Sequence, residues 1–321
     1  MRLLMSEPAL AVASPLPPGV EPVIFRVGET PGRFEAAFLS RDLNLGGARD
    51  APAPGFAGFV AALAAEQGLR WLHLNSAGAD RPQYKALMAR GVTVTTSAGA
   101  NAMGVAQSAV GAVMALSRGF PKFMAAQAAR EWRSATMPFP PDLAGQTALV
   151  VGLGPVGNEV GRLLAAIGLK VHGLSRSARE VPPPGVLTAG RYADMAALLP
   201  ATDWLCLCCP ISDLTRGLVD ATAIGMLPQG AHIVNVARGG VMDEAAALAA
   251  LQSGHLAGAY VDVFEQEPLP HDSPWWGARN TMISPHAAGP AAGNMARAAG
   301  CFRHNLDLFL VGKPLRNLAE I

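Results

Sequence analysis

The sequence predicts an α/β chain built from two doubly wound parallel-sheet domains. Three observations lead there. Apolar runs of strand length alternate with helical stretches, a glycine-rich turn joins one such strand to its helix, and the alternation occurs in two separate series. The length, 321 residues, suits two domains.

In the first series, VIFRV (23–27), RWLHLN (70–75) and VTVTT (92–96) have the β-branched and aromatic content of strands. AGFVAALAAEQ (57–67) and PQYKALMAR (82–90) read as helices, followed by Gly68 and Gly91 as candidate C-terminal caps. Residues 101–118, rich in Ala, Val and Met, read as a long helix running on loosely to Arg133. MPFPPDLAG (137–145) reads as an exposed connection.

The second series opens with TALVVGLG (147–154) as a buried strand, PVGNEVGRLLAAIG (155–168) as a helix and LKVHGLS (169–175) as a strand. DWLCLCC (203–209), AHIVNVA (231–237), GAYVDVF (258–264) and TMISP (281–285) are further strands, with helices at 195–199 and 243–254. Residues 291–312 are helical and are placed back on the first domain. The expected division is therefore 1–98 completed by 291–321, with 99–290 inserted between them.

Composition narrows the function. Half the residues are hydrophobic, net charge is +1 and aromatics are few, so nucleic acid is not an expected partner. No apolar run reaches the ~18 residues of a membrane span, so a soluble protein is expected. The first twenty residues carry only Arg2 as a basic group and are interrupted by Glu7, Pro8 and Pro15, which argues against a cleaved leader. Three of the four cysteines, Cys206, Cys208 and Cys209, sit in one apolar run without metal-ligand spacing. They read as buried thiols in a reducing compartment, the cytoplasm, and no metal is expected.

Gly152-Leu153-Gly154-Pro155-Val156-Gly157 fits G-x-G-x-x-G between a strand and a helix. The first glycine permits the tight turn, the second lets a pyrophosphate approach the backbone, and the third lets helix pack on strand. The helix N-terminus then faces the phosphate charge, which makes this a Rossmann dinucleotide site. The next strand ends in Ser175-Arg176-Ser177, with Arg179 beyond, and has no acid at its tip. An acid there would repel a ribose 2′-phosphate, whereas Arg and Ser bind one, so NADP is expected ahead of NAD. The competing reading has Arg176 stacked on adenine and Arg179 as a solvated charge.

Arg238, Glu267 and His286 each follow a different strand of the second series. Carboxyl ends of strands line the ligand crevice in such sheets, so these three converge on one edge. The types suit hydride chemistry at a carbonyl. Histidine moves a proton near neutral pH, a carboxylate beside it orients the ring and favours the imidazolium, and arginine forks a substrate carboxylate.

The glycine loop, Asn235-Val236-Ala237-Arg238-Gly239-Gly240, Val261-Asp262-Val263-Phe264-Glu265-Gln266-Glu267-Pro268 and Ser284-Pro285-His286-Ala287-Ala288-Gly289 together resemble the D-isomer-specific 2-hydroxyacid dehydrogenase family over about residues 70–312. The resemblance implies a hydride exchange between a nicotinamide and a 2-oxo acid/D-2-hydroxy acid pair. It implies Arg238 as carboxylate binder, His286 as acid/base and Glu267 as its partner, and cofactor contacts from Pro210, Val236, Ala237, Arg238, Asp262, His286 and Gly289. It gives the first domain a flavodoxin-like fold and makes it the substrate domain, with Ser76, Ala77 and Gly78 in a loop holding the substrate carboxylate. It also implies a two-fold homodimer through residues 101–118, a helix whose apolar residues spread over more than one face. Ser175-Arg176-Ser177, Glu267-Pro268-Leu269-Pro270 and Trp275-Trp276 are similar to the NADPH-using glyoxylate/hydroxypyruvate reductases. Two departures from the family pattern are Gln107, where much of the family has Glu, and the lack of an Ile-Asp pair after Asp80. The alternatives are a non-enzymatic dinucleotide-sensing protein of the same fold, a formate or phosphite dehydrogenase, and an adenosylhomocysteine-hydrolase-like enzyme.

Overall fold

The computed structural model describes residues 1–47, 51–134 and 139–319. Of the expected connection 137–145, Met137 and Pro138 lie outside the described residues, as do Glu320 and Ile321 at the chain's end. The chain divides into two compact units, Met1–Asn101 with Ala291–Ile321, and Ala102–Pro290.

The first unit holds β1 (Arg2–Met5), α1 (Glu7–Ala13), β2 (Glu21–Ile24), β3 (Ala36–Leu39), α2 (Pro54–Ala65), β4 (Trp71–Leu74), α3 (Pro82–Ala89) and β5 (Thr93–Thr96). Its five strands are parallel and ordered β2-β1-β3-β4-β5, the flavodoxin-like arrangement. The sequence reading missed β1 and β3. RLLM and AAFL are four-residue strands covered on both faces, so they show neither alternation nor length. Gly91 ends α3 in the left-handed conformation as expected, at φ 86°. Gly68 does not cap α2, which stops at Ala65 on an extended Glu66.

The second unit begins with α4 (Ala102–Ser117) and α5 (Phe120–Ala128). The expected continuous helix is broken by Gly119, which takes φ 72° and starts the second helix. There follow β6 (Thr147–Val151), α6 (Pro155–Ala166), β7 (Lys170–Ser175), β8 (Thr188–Arg191), α7 (Met195–Leu198), β9 (Trp204–Leu207), α8 (Ala221–Met226), β10 (Ala231–Asn235), α9 (Glu244–Ser253), β11 (Leu256–Val261) and β12 (Thr281–Ile283). The seven-stranded sheet runs β12-β11-β10-β9-β6-β7-β8, all parallel, which is the Rossmann order with an added strand. Alternate residues of its strands serve two cores. Leu149, Val151, Leu205, Leu207, Ile233 and Val261 pack on one face, and Ala148, Val150, Trp204, Cys206, Val234 and Tyr260 on the other.

The last helix, α10 (Asn294–Leu310), belongs to the first unit. Phe302 stacks on Phe38 at 4.6 Å and on Trp71 at 5.5 Å, and Leu306 joins the same core. A helix separated by the whole second unit thus covers one face of the first sheet. Among the described residues no helix is long and apolar enough to cross a membrane.

Candidate active site

The register of the seven-stranded sheet aligns the functional positions. Ile283, Val261, Asn235, Leu207, Val151 and Leu174 are successive partners across six strands, so the residues just beyond them lie along one edge. Those residues are Ser284 to His286, Asp262, Val236 to Arg238, Cys208 to Pro210, the glycine loop and Ser175. The strand order reverses between β9 and β6, where such sheets open a crevice.

The glycine loop fits a dinucleotide. Gly152 takes φ 108°, and a Cβ there would fall 2.5 Å from the Cys209 backbone nitrogen. At Gly157 a Cβ would lie 1.8 Å from the carbonyl oxygen of Gly152. At Gly154, which is exposed, a Cβ would meet nothing within 4 Å, so the space beside this residue at the start of α6 is open, and a helix N-terminus there offers unpaired N–H groups. Pro155 opens that helix without wasting a donor, and Val156 follows it, half-buried.

At the end of β7, the Ser175 hydroxyl donates to the Ser177 carbonyl at 2.7 Å, shaping the turn that carries exposed Arg176. Arg179 is exposed, and its guanidinium donates to the Leu153 carbonyl at 2.5 Å, which ties this turn to the glycine loop. Arg191, which the sequence reading overlooked, lies beside Ser175 in the β7–β8 register. Its signal was hidden because TAGR is too short and polar to announce a strand.

Arg238 leaves β10 through a braced turn. Asn235, fully buried, accepts from the Ala237 N–H at 3.1 Å, and the Arg238 guanidinium donates to the Ala237 carbonyl at 2.7 Å. The Val236 N–H continues the β9 ladder onto Leu207. On the next strand end, Pro210 turns the chain and its carbonyl accepts from Thr215 Oγ1 at 2.7 Å.

His286 Nδ1 lies 2.8 Å from Glu267 Oε2, and Glu267 Oε1 accepts from the Phe264 N–H at 3.0 Å. Burial pushes the Glu267 carboxyl up, but the hydrogen bond and charge of His286, the Phe264 N–H and the Arg238 charge outweigh it and hold it below the usual carboxylate range. Behind this turn stands Glu244, which accepts from the Glu265 N–H at 2.6 Å and from Trp275 Nε1 at 2.9 Å. Burial raises its carboxyl. Glu244 was invisible in the sequence because it begins an ordinary helix. His286 has φ 52°, unusual for a side-chain-bearing residue, and its N–H donates to the Asp262 carbonyl at 2.8 Å. Gly289 ends the same loop. The trio can hold a carboxylate, carry a proton and keep the imidazole oriented.

In the first unit, Ser76, Ala77 and Gly78 follow β4. The Ser76 hydroxyl donates to the Gly78 carbonyl at 2.8 Å, and the Ser76 carbonyl accepts from the Ser97 N–H at 3.0 Å. Beneath this loop lies a buried relay. Trp71 Nε1 donates to Thr95 Oγ1 at 2.9 Å, which lies 2.8 Å from His73 Nδ1. His73 Nε2 lies 3.0 Å from Ser97 Oγ, which donates to the Leu74 carbonyl at 2.9 Å. Burial pushes the His73 imidazole down to about 3. The sequence reading passed over this group because a histidine inside an apolar strand has no local signature.

A two-unit α/β chain with a glycine-loop crevice and an Arg, Glu and His edge defines a nicotinamide-dependent oxidoreductase. The model of the D-isomer specific 2-hydroxyacid dehydrogenase NAD binding domain matches residues 110–288, and the chain belongs to that family. It is 32% identical over 244 residues to glyoxylate/hydroxypyruvate reductase B of Citrobacter koseri, covering 75% of each chain. It is 30% identical over 251 residues to the chloroplastic/mitochondrial formate dehydrogenase of Arabidopsis thaliana, covering 77% of this chain and 65% of that one. The crystal structure of a D-isomer specific 2-hydroxyacid dehydrogenase from Xanthobacter autotrophicus Py2, in complex with NADPH and MES, superposes with TM-score 0.77 at 30% identity. It covers 99% of this chain and 97% of that one. The protein is therefore an enzyme of this family that uses NAD(P).

Proposed function

We propose that the enzyme reduces a small 2-oxo acid of the glyoxylate/hydroxypyruvate type to its D-2-hydroxy acid, with NADPH preferred. The observation that carries this reading is the 2.8 Å pairing of His286 Nδ1 with Glu267 Oε2 at the carboxyl edge of the sheet. It leaves Nε2 as the nitrogen that gives a proton to the substrate oxygen during reduction and recovers it during oxidation. Glu267 holds the ring and its charge. Arg238 takes the substrate carboxylate in a two-point contact and polarises the carbonyl. Ser76, Ala77 and Gly78 are given the same carboxylate by sequence resemblance alone.

Bound along the crevice, the dinucleotide supplies the hydride. Gly152, Gly154, Pro155, Val156 and Gly157 accept its pyrophosphate. Ser175, Arg176 and Ser177 take the 2′-phosphate, while Pro210, Val236, Ala237, Arg238, Asp262, His286 and Gly289 line the nicotinamide side. The NADPH preference is supported by the acid-free end of β7 and by the NADPH of the Xanthobacter enzyme. The substrate class is supported by the Citrobacter relative.

Two copies of the chain associate through α4 and α5 in this reading. The support is an exposed apolar surface of Met103, Met114, Phe120, Phe123 and Met124. The remainder of α4 is largely buried, so apolar residues occupy both its buried and its exposed side. The four free cysteines fit a reducing compartment, and the cytoplasm is the proposed location.

The deciding assay follows NADPH and NADH absorbance with glyoxylate, hydroxypyruvate and phenylpyruvate, with formate and NAD as the opposing arm. Turnover fastest with NADPH and one of the two small acids supports the reading. Turnover of formate alone overturns it.

A further inference from the structure

One buried carboxylate oxygen gathers three donors of the loop that carries His286. Asp262 is 3% exposed, and its Oδ1 accepts from Ser284 Oγ at 2.6 Å, from the Ala287 N–H at 2.7 Å and from the Ala288 N–H at 2.9 Å. These donors stand on both sides of His286, whose own N–H is bound by the Asp262 and Ser284 carbonyls. Ser284 has a single hydroxyl proton, and it goes to Asp262. The 2.8 Å contact between Ser284 Oγ and the Tyr260 hydroxyl is therefore one in which Tyr260 donates. The result is a one-way relay from Tyr260 O–H to Ser284 O–H to Asp262 Oδ1.

Strand geometry builds this relay. Tyr260 and Asp262 are two residues apart and point to the same face. Val261 pairs with Ile283, which sets Ser284 beside Asp262 on the neighbouring strand end. The clasped backbone includes the left-handed His286, a conformation that persists only where surrounding bonds enforce it.

We propose that Tyr260 and Ser284 are positioning residues that act through Asp262 to fix the His286 backbone, and with it the direction of the imidazole. They work without touching substrate or dinucleotide. The inference rests on His286 being the acid/base proposed above. A Ser284→Ala side chain leaves Asp262 Oδ1 with two backbone donors, both on the far side of His286, and leaves the near side to backbone bonds alone, the Ser284 N–H on the Val261 carbonyl and the His286 N–H on the Asp262 carbonyl. Misplacement of a reacting group by ~1 Å costs up to about a hundredfold in rate, so the effect falls on turnover and not on binding.

The test measures kcat and KM for the preferred 2-oxo acid, together with NADPH affinity by fluorescence. Ser284→Ala is expected to lower kcat at least about tenfold while KM and NADPH affinity stay within about twofold. Ser284→Thr, which keeps the hydroxyl, is expected to recover most of that loss. An unchanged kcat in Ser284→Ala, or a loss confined to NADPH affinity, overturns the proposal. Should Ser284→Ala fail to fold, Tyr260→Phe keeps the Ser284–Asp262 bond and is expected to lower kcat about threefold, a smaller misplacement of the same kind. A parental kcat in Tyr260→Phe overturns the relay. A His286→Ala variant measured alongside separates the two ideas: parental turnover there removes the acid/base assignment itself, whatever Ser284 does.

Discussion

His286 Nδ1 and Glu267 Oε2 stand 2.8 Å apart, while the other oxygen of Glu267 is held by the Phe264 N–H at 3.0 Å. An ionised carboxylate only accepts, so Nδ1 carries a hydrogen in this pair, and Nε2 is the nitrogen left to exchange a proton. Replacing His286 by Ala should lower turnover by about 10²–10⁴, the contribution of general acid catalysis, with NADPH still bound. Steady-state kinetics and a fluorescence titration read both quantities, and near-normal turnover removes His286 from the mechanism.

Cofactor choice is tested at the β7 end. Arg176→Ala should weaken NADPH more than NADH. A charge-assisted bond is worth about 1.5–3 kcal/mol, so the NADPH loss should be roughly tenfold to a hundredfold. Equal losses for the two cofactors would show that Arg176 only stacks on adenine.

Assembly is tested by mass. The chain weighs 33.2 kDa. Light scattering at low micromolar concentration should give close to twice that value. Phe123→Glu, which puts a charge into the exposed apolar surface of α5, should shift the mass toward the monomer. A wild-type mass near that of a single chain ends the dimer reading.

Acid sensitivity should come partly from His73. Its folded-state imidazole sits at about 3, far below the unfolded value of 6.5. Between those values the unfolded chain binds a proton that the folded chain does not, so stability falls as pH drops below 6.5. The size is about 2 kcal/mol at pH 5. His73→Gln removes this titration. Its melting temperature should be lower at pH 7 but should decline less between pH 7 and 5. Parallel declines in the two proteins would contradict the assignment.

What the sequence by itself determined was whatever is encoded locally. The glycine loop announced itself because its spacing stands between a strand and a helix; the Gly157 requirement is local, since a Cβ there would strike the Gly152 carbonyl, whereas the Gly152 requirement comes from the Cys209 backbone at the end of β9. Arg238 and Glu267 were legible because they follow β10 and β11, strands long and apolar enough to recognise, and His286 because the run Ser284-Pro285-His286 marks the end of the three-residue β12; parallel order sends such ends to one edge. The tertiary structure decided what depends on residues distant in the chain. The strands β1 and β3 are short and buried on both faces, so only their neighbours define them. Glu244 and Tyr260 are ordinary residues in sequence that gain a role from the groups they meet, and the hydrogen bonds of Asn235, Ser284 and Asp262, residues the motifs already contained, appear only in the folded chain. The same holds for His73, whose partners Thr95 and Ser97 come from the adjacent strand and its exit. A hydrogen bond across strands needs register, and register is set by packing across the whole sheet, which no local pattern of residue types contains.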